Sequence, residues 1–191
     1  MQRKILIWPD AVLRQVAQPI AHVNHDIRVL AQDLLDTSCD NAGIAAPQVG
    51  VSKRIFVVQV DWLKGIPEIK NVPDAPLVCI NPIFIRKEGT MRMQESCLSI
   101  PDESGFVNRA KQVAMQYTDL EGKQQQIEAE GLLALCLQHE TDHLDGKLWV
   151  DYQSRTRREQ VRYNMLQLKR ARYRDEQQQK KKQQLSESVK A

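Results

Sequence analysis

The fold is decided by residues 132–143, which read LLALCLQHETDH. The first six residues are apolar on every side, and a helix that is apolar all round is a buried one. We therefore predict a helix over Glu130–Leu144, with Gly146 just beyond it as a typical C-terminal cap. The second half carries polar side chains along the same axis, and polar groups on a buried helix need partners. This change of character predicts a functional site on the helix.

The polar half contains the pattern H-E-x-x-H at His139, Glu140 and His143. Residues four apart on a helix lie one turn above each other, so both imidazoles can reach one metal ion. Glu140 projects close by and can take a proton from a water held by that ion. Two surface histidines on an ordinary amphipathic helix are the alternative. Histidines on a buried helix would lack partners for their ring nitrogens without a metal, so the pattern favours a metal site.

A third metal ligand must come from elsewhere, because catalytic zinc-like sites usually have three protein ligands and one open position. His22 and His25 lie at a polar helix entry, and we expect them to be solvated. A metzincin would have its third histidine where this chain has Trp149, which argues against that class of protease. The remaining soft ligands are the four cysteines: Cys39, Cys79, Cys97 and Cys136. Taken singly, each is more often a small buried hydrophobe than a ligand.

Three segments together resemble the signature motifs of the peptide deformylase family. Gly43–Gln48 is similar to the first motif, G-φ-G-φ-A-A-x-Q, where φ is apolar. Glu95–Ser99 is similar to the second, E-G-C-L-S, and Gln138–Gly146 to the third, Q-H-E-x-D-H-L-x-G. Their order and spacing also match, and the resemblance runs from about Ile5 to about Tyr152.

The resemblance implies a metal-dependent hydrolase that removes the N-formyl group from the formyl-methionine of nascent polypeptides. It implies one divalent metal per chain, Fe(2+) foremost, with Zn or Ni able to substitute. The implied metal ligands are Cys97, His139 and His143. The implied catalytic groups are Glu140 as general base, with the Gln48 amide and the Leu98 backbone N–H as oxyanion donors. The implied substrate-binding residues are Gly43, Leu135 and Cys136.

Asn41 and Ser96 depart from the family pattern, which has glycine at both positions. Asn tolerates a positive φ better than most residues, so we expect Asn41 to keep the backbone shape. The Ser96 side chain lies beside Cys97, where we expect it to crowd the peptide. Neither change touches a ligand, the base or an oxyanion donor, so both concern substrate affinity and rate.

The fold we predict is α+β, with short antiparallel sheets around a buried central helix carrying H-E-x-x-H and a further C-terminal helix. The family resemblance contributes most of that prediction. Residue patterns predict strands at Arg54–Val60 and Leu77–Ile80, with a surface loop over Asp61–Pro76 between them. A hairpin is predicted around Asp119–Gly122, flanked by Val113–Thr118 and Gln124–Ile127.

The positive charge of the chain is concentrated at its C-terminal end. Residues 151–191 carry a net charge of +7, and residues 1–150 carry −4. We predict a catalytic domain over 1–152, followed over 153–191 by a basic helix and a Gln/Lys-rich tail. The helix has an apolar stripe at Val161, Met165 and Leu168. A segment of this charge can meet RNA, so we expect weak ribosome association through it.

No apolar run approaches the ~20 residues of a membrane span, and no signal peptide is recognisable, which predicts a cytoplasmic protein. Three other functions compete with the main prediction. An H-E-x-x-H endopeptidase would need a third histidine or a distal glutamate as metal ligand, and this chain lacks it. A structural zinc site would need four protein ligands, and only three are found. An inactive paralogue that binds ribosomes or nascent chains has no chemical need for Gln48, Cys97 and Glu140 together.

Overall fold

The computed structural model describes residues 1–39, 41–61, 64 and 73–190. Within these ranges it contains three α-helices: α1 (His25–Ser38), α2 (Gly131–Leu144) and α3 (Arg155–Lys190). It also contains seven strands: β1 (Gly43–Ala45), β2 (Ile55–Val58), β3 (Leu77–Glu88), β4 (Met91–Cys97), β5 (Ile100–Arg109), β6 (Gln112–Thr118) and β7 (Gln124–Glu130). The loop predicted over Asp61–Pro76 lies largely outside the described residues.

The strands form two antiparallel sheets. The larger has five strands in the order β1-β2-β3-β6-β7, and the smaller consists of β4 and β5. Every pairing between named strands is antiparallel. This confirms the prediction of a mixed α and β fold with antiparallel sheets and a C-terminal helix. The strand β1 lies at an edge of the large sheet, so one of its sides is not covered by another named strand.

The strand predictions were right for β2 and for the hairpin of β6 and β7, and incomplete elsewhere. Strand β3 begins at Leu77 as predicted but continues to Glu88. The strands β1, β4 and β5 were not predicted. Strand β5 contains Pro101 and Gly105, residue types that are depleted in strands, and this hid it from pattern reasoning. Pairing with β4 holds it extended nonetheless.

The turn after α1 does not require a positive φ at Asn41, so the tolerance that we expected Asn to supply there is not used. Among described non-glycine residues, a positive φ occurs at Cys39, Asn81 and Asp102, and Asn41 is not one of them. The φ of Cys39, at the end of α1, is 28°. Asn41 instead donates to the Ser38 carbonyl oxygen from both its backbone nitrogen, at 2.7 Å, and its side-chain nitrogen, at 3.1 Å.

Helix α2 packs against β1 and β2 on one side and against β6 and β7 on another. Its buried apolar residues Leu133 and Leu137 join the main core with Phe56 and Met115. The helix ends as predicted next to Gly146, whose φ is 69°. A Cβ on Gly146 would lie 2.6 Å from the Arg14 carbonyl oxygen, so only glycine fits this close approach.

Helix α3 lies against the body through the predicted apolar stripe. Val161 and Met165 are buried, and Leu168 is partly buried in the same cluster, which also contains Trp149. An ion pair of 3.0 Å between Lys4 and the Glu176 carboxylate joins the helix to the N-terminal segment. In the part of the chain that the structure describes, no helix is both long and apolar enough to cross a membrane.

Candidate metal centre and active site

The side chains of Cys97, His139 and His143 converge on one point. One ligand atom from each lies within 4.8 Å of the others. The Cys97 Sγ lies 3.3 Å from His143 Nε2, and the two imidazole rings meet edge to face with centroids 5.0 Å apart. Cys97 is the last residue of β4, whereas both histidines project from α2. The fold therefore brings the predicted ligand set together from two elements.

The other cysteines are placed differently. Cys79 and Cys136 are buried, and this burial raises the pKa of both thiols, which keeps them neutral. A neutral thiol is a poor metal ligand, because metals bind the thiolate. The remaining candidates from the sequence are exposed: His22, His25 and Cys39. Of the four cysteines, Cys97 alone lies beside the histidine pair.

A buried ion-pair network fixes the orientation of His139. Glu95 Oε2 lies 2.7 Å from His139 Nδ1, which leaves Nε2 as the nitrogen available to a metal. Arg109 holds Glu95 with two hydrogen bonds, of 2.7 and 3.0 Å. Burial by itself would raise the pKa of Glu95, but hydrogen bonds from His139 and Arg109 outweigh it and lower the pKa to about 2. A carboxylate in this position orients the metal-binding imidazole and raises its basicity.

The same arginine also reaches the other end of the histidine motif. Arg109 donates to Asp142 Oδ2 at 2.6 Å, and the Tyr152 hydroxyl donates to the same oxygen at 2.8 Å. Sequence reasoning assigned no role to Glu95, Arg109, Asp142 or Tyr152. Glu95 and Asp142 stand inside the second and third motifs, which was a usable signal. Arg109 and Tyr152 carried no signal, because only the folded chain brings them to the site.

Glu140 lies beside the ligand set in an almost fully enclosed position, with 3% of its surface exposed. Its Oε2 has no hydrogen-bond partner among the described residues. Burial raises the pKa of this carboxyl to about 7, with a smaller raising effect from Glu95 and an opposing one from His139. A pKa near neutrality suits a group that both takes and returns a proton.

Gly43 allows Glu140 to occupy this position. A Cβ on Gly43 would lie 2.9 Å from Glu140 Oε1 and 2.8 Å from the Val57 carbonyl oxygen. The second atom belongs to the backbone of the neighbouring strand and cannot move aside easily. The glycine is therefore required by close approach to Glu140 and β2, which the sequence alone did not reveal.

The Gln48 side chain is held in one orientation. Its Oε1 accepts a hydrogen bond of 2.8 Å from the backbone N–H of Ala45. This directs Nε2 toward Cys97 Sγ, at 3.5 Å, and Ser99 Oγ, at 3.3 Å. The amide N–H groups therefore face the ligand set from a side chain that is 1% exposed.

A cavity of about 410 Å³ opens onto these groups. Its walls include the residues predicted to bind substrate: Gly43, Leu135 and Cys136. Leu98 and Ser96 line it as well, and whether the Ser96 side chain crowds a bound peptide stays a prediction. No lysine or arginine is among the lining residues that the structure describes.

The donor set fits a bound transition-metal ion. A thiolate and two imidazoles are ligands of Zn and of other borderline metals, and three protein ligands leave one position open. Glu140, whose buried Oε2 has no hydrogen-bond partner among the described residues, lines the same cavity as Cys97 and His139. The residues present therefore form a candidate metal site of the catalytic rather than the structural kind.

Comparisons with known proteins agree with this geometry. The family model for polypeptide deformylase matches residues 2–159. A peptide deformylase from Alkalilimnicola ehrlichii is 45% identical over 168 residues, which cover 87% of this chain and 90% of that protein. The crystal structure of a peptide deformylase from Legionella pneumophila is 38% identical and superposes with a TM-score of 0.81, covering 91% of this chain and 99% of that one.

A second solved structure, a peptide deformylase from Ehrlichia chaffeensis, is 31% identical and superposes with a TM-score of 0.84. The comparison covers 91% of this chain and 99% of that one. The family model thus covers residues 2–159, and the sequence and structural matches extend over nearly the full length of each relative. On these grounds the chain belongs to the polypeptide deformylase family.

Proposed function

We propose that this protein hydrolyses the N-formyl group of formyl-methionine on nascent polypeptides and releases formate. The observation that carries the proposal is the buried Glu140 carboxylate beside the Cys97, His139 and His143 ligand atoms, at the end of an open cavity. Family membership supplies the substrate class. Because nascent chains are made in the cytoplasm, we propose that compartment as its place of action.

The metal ligands in this proposal are Cys97, His139 and His143, and the ion is Fe(2+), with Zn or Ni as possible substitutes. Such an ion, when bound, lowers the pKa of a coordinated water and polarises a carbonyl oxygen. The Glu95 carboxylate, itself held by Arg109, keeps His139 in the tautomer that presents Nε2. Family membership and the donor set support a metal, and the identity of the metal is the part to be measured.

Glu140 acts as the general base and then as the general acid. Its carboxylate takes a proton from the attacking water, whose oxygen forms a bond to the formyl carbon. The same proton then passes to the amine nitrogen as the C–N bond breaks, which yields formate and a free amino terminus. The near-neutral pKa of Glu140 supports both transfers.

Two donors stabilise the oxyanion that forms on the formyl oxygen. We assign these roles to the Gln48 side-chain amide and to the Leu98 backbone N–H. The amide is held in advance, because Ala45 N–H fixes its carbonyl end. A donor held in place before the reaction loses no free energy to reorientation when the charge develops.

The methionine side chain is bound by the apolar wall of the cavity. Leu132, Leu135 and Cys136 supply this wall from the first half of α2. Gly43 lies on β1, the edge strand, whose open side can pair with an extended peptide. Pairing through backbone groups is nearly independent of sequence, as an enzyme acting on most nascent chains requires.

The test is anaerobic purification with metal analysis, followed by assays on two peptides. One peptide carries an N-terminal formyl-methionine, and the other is unformylated with the same internal sequence. We expect formate release from the first peptide and no internal cleavage of the second. Cleavage of an internal bond would establish an endopeptidase, and a metal-loaded protein without formate release would establish a binding protein.

We further propose that residues 1–152 form the catalytic domain and that 153–191 form a ribosome-binding extension. Several exposed arginines of α3 make no ion pair with a described residue: Arg155, Arg170, Arg172 and Arg174. They leave positive charge available for RNA phosphates. Each phosphate contact releases counterions, so affinity should fall steeply with salt.

The ribosome proposal is tested by co-sedimentation over a range of salt concentrations. Removal of the chain after Lys169 should weaken sedimentation with ribosomes at low salt and spare turnover of a short formyl-methionine peptide. A triple change of Arg170, Arg172 and Arg174 to Gln should do the same. The matched control changes three exposed basic residues of the body to Gln: Arg28, Lys111 and Lys123. Equal sedimentation of all four proteins at every salt concentration would refute the proposal.

A further inference from the structure

One wall of the active-site cavity is fastened to the C-terminal helix. Glu103 of β5 lines the cavity, and its side chain is only 11% exposed. Arg157 of α3 donates to its Oε2 at 2.7 Å, and Asn164 of the same helix donates to its Oε1 at 2.6 Å. Both carboxylate oxygens of a cavity residue are therefore bound by α3.

The C-terminal segment also binds the backbone of β5. Arg157 donates to the Ser104 carbonyl oxygen at 3.2 Å, and Gln153 donates to the Phe106 carbonyl oxygen at 2.9 Å. These bonds matter because, among the strands that the structure describes, β5 pairs with β4 alone. Without the bonds from Arg157 and Gln153, β5 would keep its pairing with β4 but would lose its hydrogen bonds to the C-terminal segment.

The packing beneath β5 is equally close. A Cβ on Gly105 would lie 2.5 Å from the Trp149 ring and 2.9 Å from the Gln153 side chain. Trp149 is buried in the cluster that also contains Val161 and Met165 of α3. The strand, the short segment before α3 and the first turns of α3 thus form one packed unit behind the cavity wall.

We propose that Arg157 and Asn164 are positioning residues, which hold the β5 wall of the cavity in the shape that binds peptide. The proposal rests on the deformylase function proposed above. Neither residue lines the cavity: Asn164 acts through Glu103, and Arg157 acts mainly through Glu103 and also through the Ser104 carbonyl oxygen. Metal ligands, general base and oxyanion donors lie on other elements, and Arg109, which holds Glu95, lies at the opposite end of β5 from Glu103. Loosening β5 should therefore weaken peptide binding and leave the chemical step and the metal content unchanged.

The first experiment measures kcat and KM of the metal-loaded enzyme on a formyl-methionine tripeptide at 25 °C. We expect Arg157→Ala and Asn164→Ala each to raise KM about three- to tenfold, the range that loss of one ordinary hydrogen bond gives, with kcat unchanged. Arg157→Lys keeps the charge and should restore most of the KM. Arg162→Ala is the matched control, because the ion pair that Arg162 makes among the described residues is with Glu159 of its own helix.

The second experiment is a double-mutant cycle. Glu103→Ala should itself raise KM, and adding Arg157→Ala should then have little further effect, because the two residues act as one unit. Thermal unfolding of each variant separates positioning from bulk stability. If a variant unfolds at a lower temperature but keeps the wild-type KM at 25 °C, the residue contributes to stability and not to peptide binding. That result would overturn the proposal.

The outcomes also separate this inference from the proposed function. If the wild-type protein hydrolyses formyl peptides and every α3 variant has the same KM, the positioning role is refuted and the function stands. An equal rise of KM for Arg157→Ala in the presence and absence of Glu103 would refute the route through Glu103. If no formyl peptide is hydrolysed by the metal-loaded wild type, the proposed function itself fails.

Discussion

Helices α2 and α3 both combine apolar and polar side chains, but they satisfy the polar ones in opposite ways. On α2 most polar groups are buried, and two of them have specific protein partners: Gln138 binds the Ala110 backbone at both amide ends, and His139 binds Glu95. On α3 the charged groups are mostly exposed, and water can replace most of their partners. Single changes at the buried polar groups of α2 should therefore have large, local effects, whereas those at the exposed charges of α3 should be small and sensitive to salt.

The largest effect is expected at Glu140. Glu140→Gln keeps the shape of the side chain but removes its ability to accept a proton, so kcat should fall by about 10²–10⁴-fold. Metal content should stay at the wild-type level, because Glu140 is not one of the three converging ligands. Metal analysis and formate release on the same preparation test both statements.

The matched control for Glu140 is Glu128→Gln, an exposed glutamate of β7 that pairs with Arg86. This control should leave kcat and metal content unchanged. If Glu140→Gln lost its metal while the residual metal-bound fraction kept full activity, Glu140 would be a ligand and not the base.

Two buried cysteines, Cys97 and Cys79, should differ in their effect on metal binding. Cys97→Ser replaces a thiolate by a poor neutral ligand, so metal affinity should fall by more than the ~10–100-fold typical of outer-shell changes. Cys79→Ser should leave metal content alone, because Cys79 lies within β3 and its thiol is held neutral by burial. Metal content after dialysis against a weak chelator measures the difference. Loss of the metal in Cys79→Ser alone would reassign the ligand.

Sequence patterns predicted α2 well because its signal is local. Buried apolar residues, two histidines four positions apart and a glycine beyond the end all stand within residues 130–146. One detail was incomplete: Leu132 and Leu135 are half-buried, because that side of the helix faces the cavity. An apolar surface that binds substrate and one that packs in the core give the same pattern.

The supporting groups could not be predicted because they depend on contacts between distant segments. Arg109 lies 14 residues from Glu95 and 33 from Asp142 in the sequence, and only the fold joins the three side chains. Glu103 and Arg157 of α3, which form an ion pair, are likewise 54 residues apart in the sequence. Periodicity reports which face of an element is buried, and it carries no information on which polar side chains meet.

The next effect concerns stability and tests the buried network. Arg109→Met keeps much of the side-chain volume but leaves Glu95 and Asp142 without their counter-charge in a nearly enclosed position. Removing one partner of a buried ion pair typically costs about 3–5 kcal/mol. Urea unfolding of the metal-loaded protein should show a loss of that size. Arg86→Met, at an exposed pair with Glu128, is the control and should cost under ~1 kcal/mol.

The smallest effect is expected at Arg162, and it tests whether α3 is as tolerant as its exposure indicates. Arg162 pairs with Glu159 at 3.7 Å, and both side chains are more than half exposed, at 51% and 60%. Pairs of this kind on a helix surface contribute about 0.3–0.5 kcal/mol, and salt reduces the contribution further. Arg162→Gln should therefore change the free energy of unfolding by no more than that at low salt and by less at high salt. A loss above ~1 kcal/mol that persists in high salt would mean that this face of α3 is not solvated, and the contrast between the two helices would have to be abandoned.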